Sequence, residues 1–134
     1  MDKVMAPRMK RARPILASDP TLRALLRGHR SHVGQTGPWS AGDGNPMGVV
    51  AQLDVEPPIA GKAVLPYVCK GDARIGGGRI QYELRGVTRL SVLVHLASAR
   101  VAQIDPLEVP GAPPPDVRPI RSLPGSKVCP RSKD

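Results

Sequence analysis

The chain has 134 residues and a formal net charge of +9 at pH 7, with 16 Pro, 14 Gly and no Phe. This length supports one domain with a modest aliphatic core and is too short for two. The only apolar run near the N-terminus is Ile15-Leu16-Ala17, far shorter than a signal-peptide core, and no stretch approaches the length of a membrane span. We therefore expect a protein that is neither secreted nor in a membrane but intracellular, cytoplasmic or nuclear, with an organellar targeting segment as an open alternative.

The positive charge is segregated along the chain. Residues 1–32 hold eight basic and two acidic residues, residues 33–109 hold seven of each, and residues 110–134 hold five basic and two acidic residues. Basic segments that flank a neutral middle attract polyanions through phosphate contacts and counterion release, without reading base sequence. Solvating tails are the alternative interpretation. The residues assigned to the polyanion contact are Arg8, Lys10, Arg11, Arg13, Arg23, Arg27 and Arg30.

The first regular element is expected after a basic N-terminal arm at 1–17. Asp19 is a suitable N-cap and Pro20 suits the first helical position, where a missing N–H costs nothing. Leu22, Leu25 and Leu26 have helical spacing, so we predict a helix over about 20–29 that Gly28 could end early.

A Gly- and Pro-rich loop is predicted at 34–48, followed by strands. Within the loop, Trp39 either folds back onto the core or anchors a partner. Apolar and polar residues alternate over 49–56, which indicates a half-buried strand that Pro57-Pro58 closes. The segment 63–69 contains Pro66, which favours an edge strand or a split one.

The stretch CKGDARIGGGRI (69–80) has the outline of a phosphate-binding loop. The Lys and Ser or Thr of a P-loop are missing, because Gly77 and Gly78 stand in their places. A clean strand pattern follows at 79–85. The glycines therefore lie between two strand-like segments, and a hairpin turn is favoured over an anion cradle.

The segment 88–103 satisfies both helical and strand periodicity. Its length and its Ala-Ser-Ala-Arg continuation favour a helix, whereas its β-branched residues argue for a strand; we predict the helix. From 106 to 134 prolines dominate, and this tail is expected to be extended or disordered.

These elements predict an α+β fold. It consists of a small three- to four-stranded antiparallel sheet with one or two helices at 18–105, flanked by the basic arm at 1–17 and the disordered Pro-rich tail at 106–134. The side chains expected to be buried are Leu25, Leu26, Leu53, Val55, Ile80, Tyr82 and Leu84.

No catalytic or metal-binding constellation is visible. His29 and His32 have a metal-compatible spacing, with Cys69 as a conceivable third ligand, but a basic solvated face is the better interpretation because no CxxC or HExxH accompanies them. Cys69 and Cys129 form no framework, and we expect both thiols to be reduced. We predict no enzyme activity, no metal and no cofactor.

The stretches ASDPTLRALLRG (17–28) and LPYV (65–68), followed by a strand and a helix, resemble small phage tail-completion proteins. The resemblance covers a small part of the chain and carries over no functional residue. It implies a second class of function, an assembly or structural subunit.

The function expected from the sequence is nonspecific nucleic-acid binding by a small non-enzymatic module, through its arms. The alternatives are a structural or assembly subunit with a protein partner or a homo-oligomer, and a reading frame with little selected function. Only three aromatic residues are present, which disfavours recognition by base stacking.

Overall fold

The computed structural model describes residues 5–129, and the first element is a helix where the sequence predicts an arm. Helix α1 spans Met5–Ser18. Its buried residues Met5, Met9 and Ala12 recur at intervals of four and three, so they lie on one helical face. This face packs into the main hydrophobic core. The basic arm predicted at 1–17 is instead a docked helix over 5–17, because apolar burial fixes α1 on the domain.

Helix α2 spans Pro20–Leu25 and is shorter than predicted. The Asp19 carboxylate accepts a hydrogen bond from the Leu22 N–H at 3.0 Å, and Pro20 occupies the first turn, as the sequence indicates. The helix ends at Leu25, and in the turn that follows Gly28 adopts a left-handed φ of 80°, a conformation that glycine takes without steric cost. The chain then turns into the sheet.

Five antiparallel strands make up most of the domain. They are β1 (Arg30–Ser40), β2 (Pro46–Val68), β3 (Gly77–His95), β4 (Arg100–Pro106) and β5 (Asp116–Ser122). Strands account for 54% of the structure and helices for 18%, so the predicted α+β class with a three- to four-stranded sheet is wrong. The fold is a mostly antiparallel β-sheet with two helices packed on it.

Two long strands organise the sheet. The order is β1-β2-β3-β4, and β5 pairs with β3 outside this path. The C-terminal half of β3 lies between the first half of β2 and β4, whereas its N-terminal half lies between the second half of β2 and β5. The register shifts between Asp54 and Gly61, so the hairpin is irregular at its middle. The Val68 N–H donates to Gln103 Oε1 at 2.9 Å, which connects the end of β2 to β4.

The predicted helix at 88–103 is wrong. Residues 88–95 belong to β3, 96–99 form a turn, and 100–103 belong to β4. Leu90, Val92 and Val94 are fully buried on one strand face. They pair with Leu53, Ala51 and Val49 of β2, and pairing with this apolar strand outweighs the helical periodicity.

The predicted 34–48 loop is also mostly strand. Residues 34–40 complete β1, which pairs with β2 at one edge of the sheet, where Gly and Pro are tolerated. Trp39 is buried at 5% exposure, and its indole N–H donates to the Gly71 carbonyl at 2.8 Å. Of the two interpretations of Trp39, packing against the protein is confirmed, although the residue lies in a strand.

The tail beyond residue 105 is ordered up to residue 129, contrary to prediction. Strand β5 pairs with β3, and the chain continues along β3 because the Leu123 N–H donates to the Arg79 carbonyl. A disulfide joins Cys69 to Cys129, so the prediction of two reduced thiols is wrong for this structure. Residues 130–134, the end of the predicted tail, lie outside the described residues.

A hairpin connects β2 to β3 at the glycine run 76–78, as predicted, although only Gly76 precedes the start of β3. Strand β2 ends at Val68 and β3 begins at Gly77. Only Gly76 of the three has a left-handed φ, of 92°. A Cβ on Gly77 would overlap the Tyr67 carbonyl group, and one on Gly78 would overlap Ser126. Gly77 and Gly78 therefore serve close backbone approach rather than the turn itself.

Two hydrophobic clusters hold the fold. The main core joins both helices to the inward residues of the strands, and the smaller cluster forms around Trp39, Met47 and Leu93. Among the residues predicted to be buried, Leu53, Val55 and Leu84 are buried, whereas the others are half-buried. The half-buried ones are Leu25, Leu26, Ile80 and Tyr82.

Candidate nucleic-acid interface

The outward face of α1 is basic. Lys10, Arg11 and Arg13 are exposed and Arg8 is half-buried, because Met5, Met9 and Ala12 face the core. The helix contains no acidic residue. A docked helix holds these cations in fixed relative positions, which costs less ordering entropy on binding than an unfolded arm does.

Arg23 and Arg27 extend the basic surface onto α2 and the turn after it. Both are exposed, and they line one open depression of about 480 Å³ together with Ser18, Pro20 and Ala24. The nearest carboxylate along the chain, Asp19, accepts hydrogen bonds from the Leu22 and Val101 N–H groups. Asp19 therefore supports the helix start and the contact with β4.

Arg30 is separated from the other predicted residues by its partner. It begins β1, and its guanidinium lies 3.4 Å from Glu56 Oε1, with both side chains mostly exposed. Exposed pairs of this kind are weak, but the carboxylate partly cancels the local positive potential. The structure thus brings Arg23 and Arg27 to one depression, places the other predicted residues on α1, and leaves Arg30 at the sheet edge.

A second basic feature was missed by sequence reasoning. An open groove of about 540 Å³ lies between α2 and the second half of β2, and Arg27, His29, Lys62 and Arg79 are among its lining residues. The alternation of inward and outward residues along a strand could have identified Lys62 and Arg79 as surface residues from the sequence. Their proximity to Arg27 depends on how α2 packs against β2, and no local pattern reports it.

Three carboxylates, two in loops and one in β2, form ion pairs with nearby arginines. Arg74 Nη2 lies 2.8 Å from both Asp43 and Asp72, and its hydrogen bonds hold the pKa of each carboxyl below its ordinary value. Arg89 Nε lies 2.8 Å from Asp54. These pairs tie the 41–45 loop to the 69–76 loop, and β2 to β3, so they act in the fold.

The three histidines do not converge. His29 Nδ1 lies 2.7 Å from the Pro57 carbonyl, His32 lies 3.5 Å from Asp54, and His95 Nδ1 lies 2.5 Å from Ser98 Oγ. Burial, together with the charge of Arg100, holds the pKa of His95 below its ordinary value. Residues 5–129 contain no group of three or more His, Cys, Asp or Glu placed to hold a metal ion.

Comparison with known proteins does not extend these observations. The chain matches no protein-family model, no curated protein and no solved structure at a significant level. The resemblance to small phage tail-completion proteins thus stays an expectation from sequence.

Neither helix within residues 5–129 has the length and apolar character needed to cross a membrane.

Proposed function

We propose that this protein binds nucleic acid nonspecifically through the basic surface formed by α1 and α2. The observation that carries the proposal is a set of exposed cations on two helices that pack on the core and in the turn after α2: Lys10, Arg11, Arg13, Arg23 and Arg27. Phosphate contacts of this type supply affinity without base recognition.

Backbone contact rather than base stacking is the mode that the side chains support. Trp39 is buried, and Tyr67 and Tyr82 are half-buried in the hairpin of β2 and β3. Tyr82 packs against the main core. Without exposed rings on the helical surface, the protein has no platform on which bases could stack, and binding depends on the phosphates.

An intracellular location, cytoplasmic or nuclear, belongs to the same proposal, because nucleic acid is the partner. The Cys69–Cys129 disulfide is the observation that opposes it, since disulfides persist mainly in oxidising compartments. The oxidation state of the two cysteines in protein isolated from its source under alkylating conditions tests this location.

The test of binding is fluorescence anisotropy with two unrelated DNA duplexes and one RNA, each titrated at several salt concentrations. We expect similar affinities for all three and a linear fall of log K with log salt. Five phosphate contacts would give a slope of about −4 to −5 on DNA. No binding at low salt, or a strong preference for one sequence, contradicts the proposal.

Two variants of equal charge change locate the interface. The helix variant is Lys10→Gln/Arg11→Gln/Arg13→Gln, and the matched control is Arg85→Gln/Arg118→Gln/Arg121→Gln, whose residues are exposed on β3 and β5. The helix variant should reduce the magnitude of the salt slope by about 3, whereas the control should leave it nearly unchanged. Equal losses would mean that net charge, and not the helical surface, determines binding.

A structural or assembly subunit is the second candidate. Among residues 5–129, β1 pairs only with β2, so one of its edges has no partner strand, and such edges accept strands of other chains. The assembly function predicts an oligomer that survives high salt, because backbone pairing and apolar burial resist screening. Light-scattering masses at low and high salt distinguish it from salt-sensitive nucleic-acid binding.

A further inference from the structure

One wall of the groove between α2 and the second half of β2 is a strand edge of β2 that has no partner strand among the described residues. The pairing of β1 with β2 stops at Glu56, and Ile59–Val68 pair only with β3 among the described residues. In an antiparallel pair, every second residue directs its N–H and C=O away from its partner strand. The stretch of β2 along the groove therefore presents backbone donors and acceptors that no strand of residues 5–129 uses.

The charge of the groove has one sign. Arg27, Lys62, Arg79 and His29 are among its lining residues, which include no Asp or Glu. Within residues 5–129, none of these four makes an ion pair with a carboxylate. The lining itself therefore holds no carboxylate, the nearest one in the strand register being Glu83 opposite Lys62, and an anionic occupant would add negative charge to the groove.

Apolar side chains provide a third feature. Leu25 of α2, Ile59 of β2 and Leu123 after β5 line the same groove. Its volume of about 540 Å³ falls within the usual range of ligand clefts, roughly 300–1,000 Å³. An occupant that alternates apolar and acidic side chains would match both the apolar lining and the cations.

We propose that this groove binds an extended acidic segment of a partner protein, which adds as a strand to the edge of β2 at 59–64. Strand addition obtains affinity from backbone hydrogen bonds and specificity from alternate side chains. Carboxylates of the segment pair with Lys62, Arg79 and Arg27, and the intervening apolar side chains contact Leu25 and Ile59. This site adjoins the surface of α1 and α2 that is proposed to bind nucleic acid, and the two share Arg27.

The groove fits a polypeptide better than a nucleic acid. A nucleic acid strand would use the cations but would leave the strand edge unpaired, and no Trp, Tyr or Phe lines the groove for base stacking. A polypeptide in extended conformation rises about 3.4 Å per residue, so a segment of about six residues covers 59–64, with regular pairing available from Gly61 onward, beyond the last register shift.

The probe for the test is a capped fluorescent hexapeptide in which Glu and Val alternate, titrated at about 0.15 M salt, where the Debye length is about 8 Å. A second peptide carries N-methyl groups on alternate residues and keeps every charge and side chain. We expect binding of the first peptide, chemical-shift changes at the amides of 59–64, and at least about tenfold weaker binding of the methylated peptide, the equivalent of about 1.4 kcal/mol. No binding, or equal binding of both peptides, overturns the proposal.

Charge reversal supplies the second arm. Lys62→Glu/Arg79→Glu should weaken the Glu/Val peptide at least about tenfold, whereas Lys10→Glu/Arg11→Glu, an equal charge change on α1, should weaken it less than about threefold. Circular dichroism checks that both variants are folded. If either variant is unfolded, the comparison of the plain and methylated peptides on the wild-type protein still tests the proposal. Displacement of the peptide by oligothymidylate that itself depends on Lys62 and Arg79 would assign the groove to nucleic acid and overturn the peptide proposal. The salt slope of the Lys10→Gln/Arg11→Gln/Arg13→Gln variant above is a separate readout, because these three residues do not line the groove.

Discussion

Cys69 and Cys129 are joined by a disulfide across 60 residues of sequence, with their Cα atoms 5.1 Å apart. The bond attaches the end of the C-terminal segment to the turn that follows β2. The same segment is held by the Lys127 N–H on the Gly77 carbonyl and by the Tyr67 hydroxyl on the Lys127 carbonyl. The disulfide and these hydrogen bonds therefore hold the C-terminal segment at the same end of the sheet.

Removing this disulfide should destabilise the protein. We expect Cys69→Ser/Cys129→Ser to lower the free energy of unfolding by about 2–4 kcal/mol, because the cross-link restricts a long loop in the unfolded chain. Urea denaturation measures it, with the wild type in reductant as a comparison. Labelling of the denatured, unreduced protein should find no reactive thiol. Two reactive thiols and an unchanged stability of the double variant would contradict the bridge.

The docking of α1 is tested by Met9, which is 1% exposed. Met9→Ala should lower the free energy of unfolding by about 2–5 kcal/mol through lost burial and the cavity left behind. The control is Lys10→Ala, whose side chain is exposed and which should change stability by less than about 0.5 kcal/mol. If Met9→Ala were as mild as its control, the N-terminal segment would be a free arm, as the sequence predicts.

Trp39 is the single tryptophan of the chain, and its emission should be blue-shifted because the ring is buried. Trp39→Phe should cost about 1 kcal/mol or more, since it removes the hydrogen bond that the indole N–H donates to the Gly71 carbonyl. Trp39→Ala should cost about 3–5 kcal/mol. Chemical denaturation provides both values, and emission typical of a solvated indole in the native protein would disprove the burial.

The close backbone approach at Gly77 can be tested by comparing it with Gly37, a strand glycine in open space. Gly77→Ala should be strongly destabilising, because the added Cβ would overlap the Tyr67 carbonyl group across the hairpin. Gly37→Ala, also in a strand, should be tolerated, because a Cβ there meets no atom within 4 Å and φ is not left-handed. Melting temperatures of the two variants provide the comparison, and equal values would rule out close approach at Gly77.

His95 should make stability depend on pH. Its pKa is lowered in the folded protein, so the folded state binds fewer protons than the unfolded state, and stability falls as pH drops below about 6.5. We expect urea midpoints to decrease between pH 7 and pH 5, and His95→Gln to lose part of that decrease. A variant with the full wild-type pH dependence would assign the effect to other groups.

The local features of the sequence determined part of this fold. The capped helix start at Asp19 and Pro20 follows from contacts between residues at most three positions apart, and such contacts are visible in sequence. Alternation at 49–55 and 79–85 likewise identified segments in the first halves of β2 and β3. The basic face of α1 and α2 was identified as a set of residues, although not as a folded surface.

Tertiary structure alone decided the remainder. The segment 88–95 is a strand because it pairs with an apolar strand 35 to 47 positions earlier in the chain. Strands β1 and β5 form in Gly- and Pro-rich sequence because they pair with β2 and β3, respectively. The disulfide depends on a separation of 60 residues, and the groove depends on the packing of α2 beside β2. Strand pairing and side-chain packing obtain their free energy from partners distant in sequence, whereas periodicity and caps report only neighbours.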